Sequence, residues 1–552
     1  MFKEEVIKLV KKVTGLDEFN IEVPPDSKMG DFAFPCFILS KKFKKNPVEI
    51  AKDLSTKIKP NKFIKEVKAV GPYLNFFVDK SRLTETTLKK ILKEKEKFGT
   101  SNLGKKKKVL VEHTSTNPNA EPHVGRVRNA MIGDSIVRIL KFQGYNVKTH
   151  FFVNDVGKQI AMLVLAAKGK KISFKALLKL YVDFNKKLVK QPELEKDVFN
   201  LLYQLEKGDS KVRKDFERIV KICIEGQKKV LEEIGIKFDS FDYESKYLWN
   251  KKTKDILDAI LKKEDCFKDS NGQIVVNQEQ FKPEMKSPYL VLTRSDGTSL
   301  YPLRDLAYSI EKMKKASKNI VILGEDQKLY FRQLASAMHL LGYDFPDVVH
   351  YSFVLLKSGK MSTRKGNLVL LSDFMKEALA KAENEVRKRK EIKKVKQTAK
   401  VIGYGALKYS ILRVSPEKNV TFDWNTALSF DGETAPYIQY AHARSASILR
   451  KSKLDLSKAD YSLLKEPEEL KLIKELTNFP KVVSDAEKNL RPHLIAVYIY
   501  SLAKTFSEFY HHCQCIMDDK EISKARLSLV LSTKYVLKTG LSLLGIDSPE
   551  RM

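Results

Sequence analysis

Cysteine is scarce in this sequence: there are five in 552 residues, an odd number spread from Cys36 to Cys515. That excludes a disulfide framework and fits a reducing compartment, so a cytoplasmic protein is expected. The only grouping of metal-ligating residue types is His511-His512-Cys513-Gln514-Cys515. Its spacing matches no usual zinc pattern and falls in a predicted helix, where residues two apart point to different faces, so no metal site is expected there. No run of about 20 apolar residues occurs, which excludes a membrane-spanning helix. The opening Met1-Phe2-Lys3-Glu4-Glu5 carries acid where a secretory signal is basic and then apolar. Negative charge is also in deficit: 69 Asp and Glu face 102 Lys and Arg, a formal charge of +33. Such an excess favours a polyanionic partner, because each phosphate neutralised releases counterions. A general bias toward Lys on helix surfaces would produce the same number, so charge alone does not decide. With 43% hydrophobic and 31% charged residues the chain is globular. It is too long for a single core, and about two to four domains are expected.

The most informative stretch runs from Glu112 to Asp134, EHTSTNPNAEPHVGRVRNAMIGD. Val109, Leu110 and Val111 before it read as a buried strand. Val124, Val127, Met131, Ile132, Ile136, Ile139 and Leu140 after it recur at helical spacing, with Gly144 as the stop. A second apolar strand, Asn146 to Val153, follows at once, so the unit opens like a nucleotide-binding βαβ fold, whose first turn is where ligands sit. His123, Gly125 and Arg126 occupy the first turn of the predicted helix. Unpaired N–H groups and the positive dipole end there favour phosphate, and the imidazole and guanidinium add donors. The ordinary alternative is a surface histidine and a packing glycine, and the short His-x-Gly-x pattern does not by itself decide between them.

Far down the chain, Lys360-Met361-Ser362-Thr363-Arg364-Lys365-Gly366-Asn367 follows the apolar run Phe353 to Leu356. Cations and a hydroxyl packed around a glycine suit a pyrophosphate leaving group as its charge develops; a solvated Lys-rich turn is the plainer reading. In the stretch YLVLTRSDGTSLYPLRD, Asp296-Gly297 signals a hairpin. Tyr301 and Asp305, four apart at the start of the next helix, share a face. An aspartate with a phenol makes a guanidinium site, although a helix-start aspartate more commonly caps its own amides. Asn319 to Leu323 reads as a buried strand, with Gln327 just past its carboxyl end, placed for an amino acid's main-chain groups.

The flanks differ in kind. Residues 1 to about 103 read as a small α/β domain: an opening helix on Phe2, Val6, Val10 and Val13, a helix from Asn46-Pro47-Val48-Glu49 to Ile58, and a hairpin about Gly71-Pro72. Phe32, Phe34, Phe76 and Phe77 beside many lysines suit stacking on splayed RNA bases, or are simply that domain's core. The helix from Lys80 to about Lys97 leads to the hinge-like Lys105 to Lys108, and Lys158 to about Lys263 reads as a long, mostly helical insertion. From about Lys400 long amphipathic helices predict a bundle: Val401 to Leu412, Ala435 to Leu449, Pro467 to Leu476, Arg491 to Met517 and Lys520 to Leu544.

Taken together, the His123 and Lys360 segments resemble the HIGH and KMSKS signatures of class I aminoacyl-tRNA synthetases. Over nearly the whole length the chain resembles the arginyl-tRNA synthetase family in particular. The carriers are the Glu112 stretch, SDGTSLYPLRD, KMSTRKGN, the stretch from Trp424 to Arg444, the run Gly71 to Phe76 and the terminus GLSLLGIDSPERM. The resemblance implies an α/β Rossmann-type catalytic domain with inserted helices (104–395, insertion about 158–263). It also implies a small N-terminal α/β domain contacting the outer corner of the tRNA (1–103) and an all-α C-terminal helical bundle that binds the anticodon (396–552). It further implies ATP-dependent charging of tRNA-Arg with L-arginine through an adenylate, with Mg2+ on the phosphates, usually only when tRNA is bound, by a monomer.

Carried over residue by residue, the resemblance places Glu112, Tyr301 and Asp305 around the guanidinium, and Ser115, Asn117 and Gln327 near the α-amino and carboxylate groups. His123 and Gly125 fall to ATP, with Lys360, Met361 and Ser362 on the pyrophosphate side. Tyr73, Asn75, Tyr440, Arg444, Tyr510 and Met552 are candidate tRNA contacts. Two positions depart from the family pattern. Arg126 replaces the last histidine of HIGH, keeping a donor and a charge but changing shape. Thr363 and Arg364 replace the last two residues of KMSKS, leaving Arg364 or Lys365 as second cation. Synthetases for other amino acids, a non-catalytic tRNA-binding paralogue and a small nucleotidyltransferase are the alternatives.

Overall fold

Phe2, Val6 and Val10 share one face of the first helix, Phe2–Thr14, which buries all three. The computed structural model describes residues 2–281, 288–356, 369–388 and 392–552. It divides into two units: Met1–Phe98 with Ser445–Asn478 and Lys504–Val536, and Gly99–Arg444 with Phe479–Ala503 and Leu537–Met552.

In the first unit, strands β1 (Phe32–Pro35), β2 (Ile64–Val70) and β3 (Tyr73–Val78) form an antiparallel sheet in the order β1-β3-β2. Gly71, at φ +56°, turns the β2–β3 hairpin at the expected place. The helix Pro47–Lys57 starts where its cap signal lies, with Asn46 accepting from the Val48 N–H at 2.9 Å. Phe34 and Phe76 are core, packed with Leu39, Ile50, Leu54 and Leu74. Phe77 is half-buried, with the Lys68 ammonium 5.3 Å from its ring centre. Residues from the far end of the chain complete this unit: Arg526 Nε bonds the fully buried Glu469 at 2.7 Å, and Lys474 bonds Asp31 at 3.2 Å.

The second unit is built on a parallel five-stranded sheet. Its strands are β4 (Lys108–Glu112), β5 (Asn146–Val153), β6 (Ser240–Tyr243), β10 (Lys318–Gly324) and β11 (Asp347–Tyr351), in the order β11-β10-β4-β5-β6. Between β6 and β10 lies a small antiparallel sheet of β7 (Cys266–Lys268), β8 (Ile274–Asn277) and β9 (Tyr289–Val291). After β11, β12 (Val354–Leu356) pairs in parallel with β13 (Val420–Phe422). The chain fills the sheet outward from β4 through β5 to β6, then returns to the other side of β4 for β10 and β11. The direction of winding therefore reverses between β4 and β10, and in open α/β sheets the crevice forms at such a reversal, beyond the strands' carboxyl ends.

The predicted helical insertion contains the helices Lys158–Ala166, Leu177–Lys190, Leu194–Glu206 and Ser210–Glu233, but it also encloses β6, a strand of the central sheet. β6 is a short edge strand of sequence SFDY with no buried residue, so it carries no apolar run to announce it. The helix predicted to end at Leu476 instead runs from Pro467 to Asn489, through Pro480. Leu472, Ile473, Leu476, Phe479 and Val483 are all buried, and this continuous apolar stripe outweighs the one hydrogen bond that proline removes.

Two devices brace the helix Val124–Phe142, which follows the His123 turn. The fully buried Arg128 donates from Nη1 to the carbonyls of Ser352 and Lys418, each at 2.7 Å, and from Nη2 to that of Ser415 at 2.9 Å. At the other end, Ser135 Oγ donates to the Leu543 carbonyl at 2.8 Å, while Lys408 Nζ holds that of Gly545 and Gln439 Nε2 that of Asp547 at 2.8 Å.

Candidate active site

β4 ends at Glu112, and the chain then turns sharply: Thr114 has φ +72° and Ser115 φ +37°, left-handed conformations that β-branched residues strongly resist. Asn129 holds the turn in place. Its Oδ1 accepts from the Thr114 N–H at 2.6 Å, while its Nδ2 donates to the Ile322 carbonyl of β10 at 2.7 Å. One amide thus joins the two strands that flank the crevice. The turn presents Ser115 Oγ, which accepts from the Phe152 N–H at 3.1 Å, and Asn117, whose amide donates to Gln159 Oε1 at 3.1 Å.

Above this turn opens a cleft of about 490 Å3. Of the residues singled out from sequence, Glu112, Ser115, Asn117, His123, Arg126, Tyr301, Asp305 and Gln327 all line it. Gly125 is in the first turn of the helix Val124–Phe142. Lys360, Met361 and Ser362, with Arg364 and Lys365, lie outside the described residues. The chain just beyond them is tied to the His123 turn. The Val124 N–H donates to the Val369 carbonyl at 3.1 Å, the Leu371 N–H to that of Pro122 at 2.9 Å, and His123 forms a β-bridge with Leu370.

His123 takes the N-cap position without using its ring as a cap. Its Nδ1 is buried and has no hydrogen-bond partner among the described residues. Burial, with the Arg126 cation adding to it, holds the imidazole pKa down at about 4. The ring is therefore neutral at physiological pH. Arg126 is exposed, its guanidinium 4.0 Å from the Asp326 carboxylate. A pair so exposed constrains it little.

Acidic groups dominate the deep end of the cleft. Tyr301 opens the helix Tyr301–Lys315, and Asp305 lies one turn on. Asp305 does not cap that helix: its carboxylate accepts from the Tyr330 hydroxyl at 2.5 Å. A lining residue of the cleft, it has its pKa raised to about 6 by burial and the nearby Glu112, against the pull of Tyr330, Arg304 and Lys312. Glu112 is buried in an ion pair with Lys312, whose ammonium also lies 4.2 Å from the centre of the Tyr308 ring. Glu244, immediately after β6 and 1% exposed, accepts from Arg304 Nε at 2.6 Å, and its second oxygen accepts from the Asn154 amide at 2.6 Å. Burial pushes its carboxyl upward, and the Arg304 guanidinium opposes the shift.

Sequence reasoning missed Glu244, Lys312, Arg304 and Tyr330. Tyr301, Asp305, Tyr308 and Lys312 recur at one-turn and two-turn intervals along a single helix, which was a usable signal. Glu244 had one too, as an acid just past a parallel strand, but β6 carries no apolar run to mark where that strand lies. Glu112, Asp305 and Glu244 all line the cleft; Glu112 is paired with Lys312 and Glu244 with Arg304, whereas Asp305 makes no ion pair with a described residue.

Of the candidate tRNA contacts, Tyr73, Asn75 and Tyr510 belong to the first unit and Tyr440, Arg444 and Met552 to the second. Tyr73 is half-buried, edge-on to Phe37 with ring centres 5.8 Å apart, and Asn75 is 3% exposed. The Arg444 guanidinium lies 4.7 Å from the centre of the Tyr440 ring. Tyr510 is exposed, and Met552 half-buried.

Three domain families match consecutive parts of the chain: the arginyl-tRNA synthetase N-terminal domain at residues 1–78, the class I (R) tRNA synthetase catalytic domain at 87–424, and the DALR anticodon-binding domain at 438–552. The chain is 37% identical to the arginine–tRNA ligase of Methanocaldococcus jannaschii across the full length of both. It is 38% identical to that of Clostridioides difficile over 96% of this chain and 95% of the other. Among solved structures, Thermus thermophilus arginyl-tRNA synthetase superposes with a TM-score of 0.85 at 28% identity, over 100% of this chain and 99% of that one. An acid-lined pocket at the sheet's crevice, and family matches spanning the chain from end to end, lead to one assignment: the chain belongs to the arginyl-tRNA synthetase family.

Proposed function

We propose that this chain attaches L-arginine to tRNA-Arg at the expense of ATP, and that the cleft above Glu112 is where arginine and ATP meet. The observation that carries this reading is Asp305, a cleft-lining carboxylate with no cationic partner among the described residues. A guanidinium would be that partner, and its planar fork matches carboxylate oxygens two at a time. Asp305 and Glu244 supply those oxygens, and the Tyr301 hydroxyl one more acceptor. Glu112, already neutralised by Lys312, shapes the field behind them. Ser115, Asn117 and Gln327 fall to the substrate's α-amino and carboxylate groups.

No side chain acts as nucleophile. A carboxylate oxygen of arginine bonds to the α-phosphorus of ATP, the α–β phosphoanhydride bond breaks, and pyrophosphate leaves. A terminal ribose hydroxyl of the tRNA then attacks the activated carbonyl carbon and AMP departs. The chain contributes alignment and electrostatic stabilisation. His123 offers a neutral imidazole nitrogen at a helix N-terminus, Arg126 a cation at its rim, and the segment of Lys360 and Ser362 the charge for the departing pyrophosphate. Magnesium would accompany the ATP phosphates, supplying positive charge for the departing pyrophosphate. Among the described residues no group of three or more His, Cys, Asp or Glu forms a protein-only cage for it.

Charging a tRNA pool with each of the twenty amino acids tests the assignment, and arginine alone should be incorporated. Asp305→Ala should lower arginine charging at least about a hundredfold, because it deletes a desolvated carboxylate that faces a charge. Wild-type charging by that variant would refute the pocket.

A further inference from the structure

Tyr330 is the third residue of the helix Lys328–Leu340 and has no counterpart among the residues that local spacing brings to the guanidinium pocket. Its ring leans on Tyr301, with centroids 5.2 Å apart, and its hydroxyl donates to Asp305 Oδ2 at 2.5 Å. Among the described residues nothing else hydrogen-bonds that carboxylate. An aspartate carboxylate turns easily about its last torsion, and the nearby cations Arg304 and Lys312 are already held by Glu244 and Glu112. Without the Tyr330 hydroxyl no described residue would fix its orientation by a hydrogen bond.

We propose that Tyr330 is a positioning residue for the amino-acid substrate, pinning Oδ2 of Asp305 so that Oδ1 faces the cleft, ready for a guanidinium. The hydroxyl acts as a donor toward an acceptor-only carboxylate, so the contact favours the ionised form that a guanidinium needs. Gln327 lies one helical turn before Tyr330 and lines the same cleft. A single segment after β10 therefore sets both ends of the substrate, its main-chain groups through Gln327 and its side chain through Tyr330 and Asp305. This inference rests on the reading of the cleft as the arginine site.

The test uses the full chain with Tyr330→Phe, measuring aminoacylation as arginine is varied from pH 6 to 8.5 at saturating ATP and tRNA. The KM for arginine should rise about tenfold at pH 7, the loss of one hydrogen bond to a charged group. The kcat and the KM for ATP should stay within about twofold of wild type on the same reasoning, that the hydroxyl touches neither the reacting atoms nor the nucleotide. The arginine deficit should widen toward pH 6 and narrow toward pH 8.5. Tyr330→His, which keeps a ring and an N–H donor, should recover part of the loss. An arginine KM unchanged at every pH would overturn the proposal. So would a loss of kcat and of both KM values that is independent of pH and equal in the His variant. Should the Phe variant fail to fold, the His variant against wild type carries the same pH comparison. Asp305→Ala separates the two levels: if it charges arginine normally, the site is misread, whereas if it fails and Tyr330→Phe is silent, only the role of Tyr330 falls.

Discussion

Asp305 is the residue through which arginine binding should answer to pH. Burial and the nearby Glu112 raise its carboxyl to about 6. A carboxyl raised in the folded state adds stability below its ordinary value and loses it as pH rises through about 6; a bound guanidinium reverses that balance. Arginine must therefore displace a proton at low pH. Its KM should climb about tenfold between pH 7 and pH 5, and the rise in melting temperature on adding arginine should grow over the same range in the opposite direction. Arginine affinity that is flat across those pH values would show that Asp305 does not face the substrate. Lys312 makes a second case. Lys312→Met leaves Glu112 buried without its cation, at a cost of roughly 3–5 kcal/mol, and Glu112→Gln added to it should restore most of the melting temperature. That Tyr301, Asp305 and Gln327 would line one cleft was legible in the sequence because their relations are local: one turn of helix, and the stretch just past a strand. The Lys312 partner of Glu112, two hundred residues away, and the Tyr330 donor were not, because no local pattern encodes a contact made by the sheet.

At the scale of elements, the junction of β4 and the helix Val124–Phe142 depends on close approach. A Cβ on Gly133 would lie 2.3 Å from the ring of His113, which is 1% exposed and so has nowhere to move. Gly133→Ala should destabilise the second unit by roughly 1–3 kcal/mol, the usual cost of overpacking. It should also raise the KM for ATP, since the helix it displaces carries His123 at its N-terminus. A melting temperature within a degree of wild type, with ATP kinetics unchanged, would show that the helix is not braced there. The strands and helices around this junction were readable from apolar periodicity, whereas β6 and the passage through Pro480 were not. β6 is held by pairing with β5 and by a single phenylalanine, Phe241, packed on Phe151, with no apolar run to mark it, and the helix passes Pro480 on a buried stripe that continues through Phe479 and Val483. The left-handed turn at Thr114 and Ser115 also had no local signature. Its retention depends on Asn129, an amide within the next helix that bonds to a strand nearly two hundred residues later.

For the whole molecule the relevant quantity is the charge of +33. Sequence could not separate a polyanionic partner from a surface bias toward Lys, and membership of a tRNA synthetase family gives that excess a partner. If it serves tRNA, raising salt from about 50 to 200 mM should increase the KM for tRNA by orders of magnitude, with log KM linear in log salt and a slope set by the phosphates neutralised. The KM for arginine should change far less, since its partners are enclosed and screened little by salt. The two responses also bear on whether arginine activation needs bound tRNA, as the resemblance to the family implies. In that case pyrophosphate exchange should be weak without tRNA and, with tRNA present, should fall with salt in step with tRNA binding. Strong exchange in tRNA-free protein, unaffected by salt, would mean that the cleft around Asp305 and His123 is complete without the nucleic acid. Measuring exchange and aminoacylation over one salt series distinguishes the outcomes, because only a coupled site gives the two the same slope.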